Sequence, residues 1–253
     1  MDQLVMLKPH LKRLKLTGML ESLQMRIGQA MEEKWDYSHF LLNLLTDEAD
    51  RRDGKQLLRR LAKSGLEGDK TLETFDFSFN PAIHEQTIKE LASCSFIEQR
   101  RLVFFVGPSG VGKSHLAQAL GHEACRRGYE TICRKTDHLF KWINSGRGDG
   151  THERRLKQII KQPLLILDDF GLIDLSLKQQ EDLYEVIAER YEKSSTIITS
   201  NRDFSEWPMV FSNPLMGSAA MDRLVHRAIK IVIKGKSYRL NSFMTNNTEP
   251  GEE

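Results

Sequence analysis

Apolar residues recur at spacings of three and four through the first quarter of the chain, the period of helices with one buried stripe. Leu4, Leu7, Leu11 and Leu14 form one series; Met19, Leu23, Ile27 and Met31 form a second, after Thr17, a residue suited to an N-cap. A third helix is predicted from Ser38 with Phe40, Leu41, Leu44 and Leu45, resuming after Gly54 with Leu57, Leu58 and Leu61. Gly65 and Gly68 close the block, so the pattern predicts a small all-α bundle. Residues 65–81 read as a linker in which Phe75, Phe77 and Phe79 alternate with polar residues, the pattern of a short extended piece with one buried edge. After a predicted helix at 82–92 the period changes. Short apolar or β-branched runs at 102–106, 131–134, 164–167, 196–199 and 229–233 alternate with helical patterns at 113–127, 137–143, 152–161, 177–193 and 218–227. Such runs, separated by helices, predict an α/β fold with a parallel sheet flanked by helices and buried on both faces. The expected organisation is a helical bundle at 1–67, a linker at 68–81, an α/β domain at 82–240 and a disordered polar tail at 241–253.

Composition narrows the classes. Of 253 residues, 40% are hydrophobic, and 37 basic side chains face 35 acidic ones, a balance that fits a globular chain and excludes collagen-like and disordered classes. No apolar run approaches the roughly 20 residues that span a bilayer. The start, Met1-Asp2-Gln3-Leu4, lacks the regions of a secretory signal. Cys94, Cys125 and Cys133 form no CxxC pair and no Cys/His cluster, which predicts reduced thiols, no zinc and a cytoplasmic location. The net charge of +2 is uninformative, but its distribution is not. Residues 223–240 hold six bases and no acid, and residues 1–30 hold five bases against two acids.

The strongest chemical signal is Gly107-Pro108-Ser109-Gly110-Val111-Gly112-Lys113-Ser114, a full GxxxxGK[ST] match. It follows the apolar run at 102–106 and opens the helical pattern at 113–127. Glycines let the backbone curl so that its N–H groups cradle phosphates at a helix N-terminus. Lys113 then places a charge against the β- and γ-phosphates of ATP, and the Ser114 hydroxyl is a Mg²⁺ ligand. The run Leu164-Leu165-Ile166-Leu167-Asp168-Asp169 puts two acids at the tip of a buried strand. Asp168 is the metal-side candidate, and Asp169 the candidate to orient and deprotonate an attacking water. A further strand ends in Asn201. Asn at a strand end is ordinarily a turn residue, but the order of motifs makes it a candidate contact to the water or γ-phosphate.

This order of motifs resembles the AAA+ P-loop ATPases. Asp168-Asp169-Phe170-Gly171, Ile197-Ile198-Thr199-Ser200-Asn201-Arg202, Met221-Asp222-Arg223-Leu224 and Ser237-Tyr238-Arg239-Leu240 resemble the initiator and helicase-loader clade. With Lys12-Arg13-Leu14-Lys15-Leu16-Thr17-Gly18-Met19, the likeness narrows to the IstB-like ATP-binding proteins, helper ATPases of transposition, with DnaC-type helicase loaders as near relatives. The resemblance covers the chain except its tail. It implies that Arg223 is an arginine finger reaching the γ-phosphate held by a neighbouring subunit, and that Arg239 sits at the sensor II position. Asp169 departs from the usual Glu and is one methylene shorter, which suits a slow switch better than a motor. A helical lid is not expected after residue 240, so Phe75 or Phe77 becomes the candidate to hold the adenine.

The same resemblance implies a homo-oligomer with ATP at its interfaces, on duplex DNA with weak sequence preference, assisting a cognate transposase; hydrolysis would govern disassembly. Candidate DNA contacts are Lys12, Arg13, Lys15, Arg51, Arg52 and Arg59 on the helical bundle, and Arg147, Arg154 and Arg155 around a glycine-rich loop. A replicative helicase loader is the alternative function. A small-molecule P-loop kinase is a third, but no Arg-rich lid segment is visible to clamp a phosphate acceptor.

Overall fold

The N-terminal stripes become three helices: α1 (Gln3–Arg13), α2 (Thr17–Glu32) and α3 (Tyr37–Ser64). The protein, seen here in a computed structural model, is described over residues 3–241, so the expected tail lies outside the described residues from 242 onward. The described residues form two compact units, divided after Arg59. In the first, Met19, Leu23 and Leu44 are buried, with Leu11, Leu16, Ile27 and Phe40 packed on them. Part of the predicted stripe stays exposed, including Leu14, Met31, Leu41 and Leu45. Gly54 does not interrupt α3. One glycine in a helix interior costs only about 1 kcal/mol. The helix runs without a break to Ser64, and the two units divide after Arg59, within it.

Thr17 does not cap α2 but is its first residue, and the preceding Leu16 offers no side-chain acceptor. The first turn is satisfied from another helix instead. Glu48 Oε2 of α3 accepts from Gly18 N at 2.6 Å and Met19 N at 3.3 Å. Burial pushes the Glu48 carboxyl up, but Arg52, 2.6 Å away, and the two N–H groups outweigh it and hold it below its ordinary value. The approach leaves no room at position 18, where a Cβ would lie 2.7 Å from both Asp47 O and Glu48 Cα. Beside this cap Arg26 grips Asp47 with two bonds of 2.6 and 2.8 Å, and the Asp47 carboxyl drops from its usual 3.8 to about 2.

In the second unit α4 (Glu85–Ala92) and α5 (Ser95–Glu98) lead into the sheet. The five predicted runs become β1 (Val103–Val106), β2 (Thr131–Lys135), β3 (Leu164–Asp168), β4 (Ser195–Ser200) and β5 (Ile229–Val232). Between them lie α6 (Lys113–Arg126), α7 (Thr136–Ser145), α8 (His152–Ile160), α9 (Leu177–Arg190) and α10 (Pro214–Val225). All pairings are parallel, in the order β2-β3-β4-β1-β5. β1, β3 and β4 are buried throughout, whereas the edge strands β2 and β5, expected to be buried on both faces too, expose Arg134, Lys135, Lys230 and Val232. Alternate side chains divide between the two faces. Phe104, Leu165, Leu167 and Ile198 pack on one side with α7, α8 and α9. Val103, Phe105, Ile166 and Ile197 pack on the other with α4, α5 and α6.

Two pieces escaped the periodicity. α5 is a single turn entered through Cys94 in the left-handed region. A 3₁₀ helix at Phe204–Val210 buries Trp207 completely against Phe104, Phe170 and Phe204. Both are too short to show a period. The extended piece expected around Phe75–Phe79 is turns and bends, not a strand. Among the described residues buried Arg190 has no carboxylate partner; it donates to the carbonyls of Ile159, Ile160, Gln162 and Ser195, and burial pulls its pKa down to about 9. It thereby ties the end of α8 to the start of β4.

Gly18→Ala forces backbone apart and is expected to destabilise the N-terminal unit by about 1–3 kcal/mol, read as an earlier transition in urea unfolding of the full chain followed by circular dichroism. The Asp47 carboxylate contributes stability above its unfolded pKa that is lost as pH falls from about 4 to about 2. Arg26→Gln should flatten that acid-side loss, and an unchanged slope would refute it.

Candidate nucleotide-binding site

The crevice beyond the carboxyl ends of β1, β4 and β3 is where a parallel sheet of this order presents its chemistry. A cavity of about 610 Å³ opens there, and Ser109–Ser114, Asp168, Asp169, Asn201, Arg239 and Phe75 line it. The loop after β1 is held from behind by the segment after β5. Tyr238 N donates to Gly110 O at 2.9 Å, and a Cβ at Gly110, whose φ is +81°, would meet Ser237 Oγ at 2.1 Å. Gly112, at φ +99°, packs under Phe75 so closely that a Cβ would sit 2.8 Å from the ring. Only glycine fits these close approaches and left-handed backbone angles. Lys113 Nζ donates to Pro108 O at 2.7 Å. Burial pulls the Lys113 ammonium below its usual value, Asp169 and Asp168 oppose that, and Arg239 adds to it, so Arg239 shares the cavity field.

β4 lies between β1 and the acidic β3, yet Ser114 Oγ still reaches Asp168 Oδ1 at 2.7 Å. The Thr199 hydroxyl, from β4, bonds the same carboxylate oxygen and also accepts from Asp169 N at 3.0 Å. Thr136 Oγ1 donates to Asp168 O at 2.9 Å. Asp168 is thus buried and fixed, with Ser114 beside it: two hard oxygens of the kind Mg²⁺ takes. Among the described residues no cluster of three His, Cys, Asp or Glu could hold a metal. Asp169 has φ +55° and its carboxylate faces Lys135 Nζ at 3.3 Å. Asn201 has no side-chain hydrogen bond among the described residues.

The other expected residues fall in different places. Phe77 packs on the core behind Phe75, 4.8 Å away edge to face, so Phe75 is the ring of that pair that faces the cavity. Arg223 lies on α10 and does not line the cavity; it donates to Ala219 O at 2.9 Å and lies 5.5 Å over the Tyr184 ring. Arg51 pairs with Glu21 and Arg52 with Glu48. Lys12, Arg13, Lys15 and Arg59 are exposed, without side-chain partners among the described residues. Arg147 bonds buried Asp182 at 2.6 Å, and Arg155 bonds Asp149 and the Trp142 carbonyl. Arg154 stays exposed.

Several residues in and behind the cavity wall were not singled out from sequence. Thr199 was readable in principle, because a β4 paired with β3 puts it beside Asp168. Phe79 and Tyr238 stack edge to face at 4.9 Å at the cavity mouth, and no sequence pattern links positions so far apart. His115, Gln118 and His122 recur on one face of α6 and grip the linker at Thr71 O, Glu67 N and Glu67 O. This row fixes Phe75 over the loop.

A family model described as IstB-like ATP binding protein matches residues 9–245. The insertion sequence IS21 putative ATP-binding protein of Pseudomonas aeruginosa is 35% identical, over 95% of this chain and 92% of its own length. The IS5376 putative ATP-binding protein of Geobacillus stearothermophilus is 36% identical, over 90% and 91%. Among solved structures, DnaI superposes with a TM-score of 0.57 at 21% identity, over 68% of this chain and 96% of that one. AMPPCP-bound DnaA from Aquifex aeolicus gives 0.56 at 23%, over 75% and 59%. These two structures share the fold of this sheet, the AAA+ P-loop arrangement.

Thr199→Val keeps the shape but removes the donor to Asp168. ATP affinity should hold within about threefold while hydrolysis falls about tenfold or more. A fluorescent ATP analogue and a phosphate-release assay separate the two, and unchanged turnover would remove Thr199 from the site's function.

Proposed function

We infer the function from one premise: the chain belongs to the IstB-like ATP-binding protein family, and is an ATP-binding AAA+ P-loop protein of an insertion-sequence type. From there we propose an ATP-dependent DNA-binding regulator that assembles on DNA, assists a transposase in choosing or using its target, and disassembles when ATP is hydrolysed. The observation that carries the reading is the separation of Arg223 from its own chain's cavity. An arginine on α10, partly exposed and away from Lys113, suits delivery to the phosphate of a second copy.

In this mechanism the loop N–H groups and Lys113 bind the β- and γ-phosphates. Ser114 and Asp168 would hold Mg²⁺, which would supply neutralisation of phosphate charge. Asp169 takes a proton from the attacking water, Asn201 orients that water, and Arg223 of a second copy stabilises charge that develops on the γ-phosphate. Phe75, Phe79 and Tyr238 supply aromatic surface for the base. Of the candidate contacts, exposed Lys12, Arg13, Lys15, Arg59 and Arg154 are free to meet DNA phosphates. No reader of base edges is assigned, so binding depends on assembly more than on sequence.

The second reading is a helicase loader, because the DnaC helicase loader superposes at 27% identity over 59% of this chain and 87% of its own, with a TM-score of 0.51. In that case the partner is a helicase, and co-purification with one partner or the other decides. Among the described residues no helix is long and apolar enough to cross a membrane.

Light scattering with random-sequence duplex DNA should show large particles with ATP and small ones with ADP or no nucleotide. Lys113→Ala should lose this response. Arg223→Ala should keep ATP binding in the single chain but lose about a hundredfold or more of its DNA-stimulated hydrolysis. A Lys113→Ala protein that assembles with unaltered ATP dependence would refute the reading.

A further inference from the structure

We propose that the groove beside α10 receives Leu172 and Ile173 of a second copy of this chain, locked by an ion pair between Asp222 of one copy and Arg202 of the other. The inference rests on the reading that Arg223 reaches the phosphate held by a second copy, and it names the surfaces that seat it there.

The 3₁₀ helix at Phe204–Val210 and α10 flank an open groove of about 650 Å³. Pro208, Met209, Phe211, Met221 and Val225 make it apolar, and Asp222 is its charged lining residue. Met209 and Val225 are exposed, so this is a surface hollow with apolar walls and not part of the core. Met221, Asp222 and Val225 stand within one turn of Arg223 on the same helix.

The matching projection lies on the rim of the nucleotide cavity. Leu172 lines that cavity and is 53% exposed, and Ile173 beside it is 50% exposed. Neither lines the groove of its own chain. Gly171, at φ +73°, lets Arg202 lie along the base of this loop, because a Cβ there would sit 3.3 Å from Arg202 Cδ. Arg202 uses its backbone N–H and carbonyl within the fold, but its guanidinium has no partner among the described residues. The exposed Asp222 carboxylate has none either; only its carbonyl is engaged, by His226 N.

For Arg223 to enter a second cavity, its neighbours on α10 must lie against the rim of that cavity. The rim offers two apolar side chains and an unpaired cation; α10 offers an apolar groove and an unpaired anion. Seating takes the apolar side chains out of water, and the ion pair fixes the orientation. Groove and projection are different surfaces, so the contact is head to tail and repeats from copy to copy. The seated loop begins at Asp169, whose carbonyl accepts from Leu172 N at 3.3 Å. The contact that delivers Arg223 therefore also steadies the segment that carries the proposed base.

The test follows ATP-dependent assembly of the full chain on duplex DNA by light scattering. Asp222→Arg and Arg202→Asp each set like charges against each other and are expected to raise the protein concentration for half-assembly about tenfold or more. Ile173→Asp, which forces a charge into the groove, should do the same. None of these positions lines the nucleotide cavity, so affinity of the single chain for a fluorescent ATP analogue should change less than about twofold, which also shows that each variant is folded. The deciding sample is an equimolar mixture of the Asp222→Arg and Arg202→Asp chains. Alternating copies then meet through opposite charges at every contact, and the mixture should assemble within about threefold of the wild-type concentration. Any single variant that assembles like wild type, or a mixture no better than its components, overturns the proposal. If the wild-type chain does not assemble with ATP, the reading of Arg223 as delivered to a second copy falls and the proposal with it. If it assembles and Arg223→Ala abolishes DNA-stimulated hydrolysis while the charge reversals leave assembly intact, only this pairing of surfaces falls.

Discussion

The Asp168 carboxylate is the point on which the site hangs. It is a buried acid at the tip of a strand, and a buried charge without donors is costly. Ser114 at the start of α6 and Thr199 on β4 both bond one of its oxygens, while Thr136 at the start of α7 holds its carbonyl. One acid therefore gauges the distance between the phosphate-loop helix, the acidic strand and the strand between them. Thr199 passes that constraint on to Asp169 through the backbone N–H.

The phosphate loop itself is clamped from two remote parts of the chain. The segment after β5 bonds Gly110, and the linker ring Phe75 covers Gly112. The linker in turn is registered to α6 by three polar side chains one turn apart. Loop, linker and the segment after β5 therefore form one wall of the cavity.

Positive charge is divided by what each side chain already holds. Arg52 completes the Glu48 cap of α2, Arg147 serves a buried acid, and Arg190 gathers four carbonyls where a helix end meets a strand. These arginines hold the fold. Lys12, Arg13, Lys15, Arg59 and Arg154 are not so committed. A count of basic residues along the chain cannot draw this line, because the partners lie on other elements.

What the sequence determined by itself was local or carried in a contiguous motif. Short apolar or β-branched runs between helical patterns specified five parallel strands, the three central ones buried throughout, because such runs shed water and bond their backbones in a covered sheet. The run 107–114 announced a phosphate cradle because that cradle is made of consecutive backbone N–H groups, and Asp168-Asp169 after an apolar run announced a strand tip. The tertiary structure alone decided the rest. It put Thr199 and Lys135 on the two sides of the acids, capped α2 with Glu48 in place of Thr17, and turned Phe75 rather than Phe77 to the cavity. Each of these depends on a contact between residues distant in the chain, and neither periodicity nor spacing contains the strand order that brings them together.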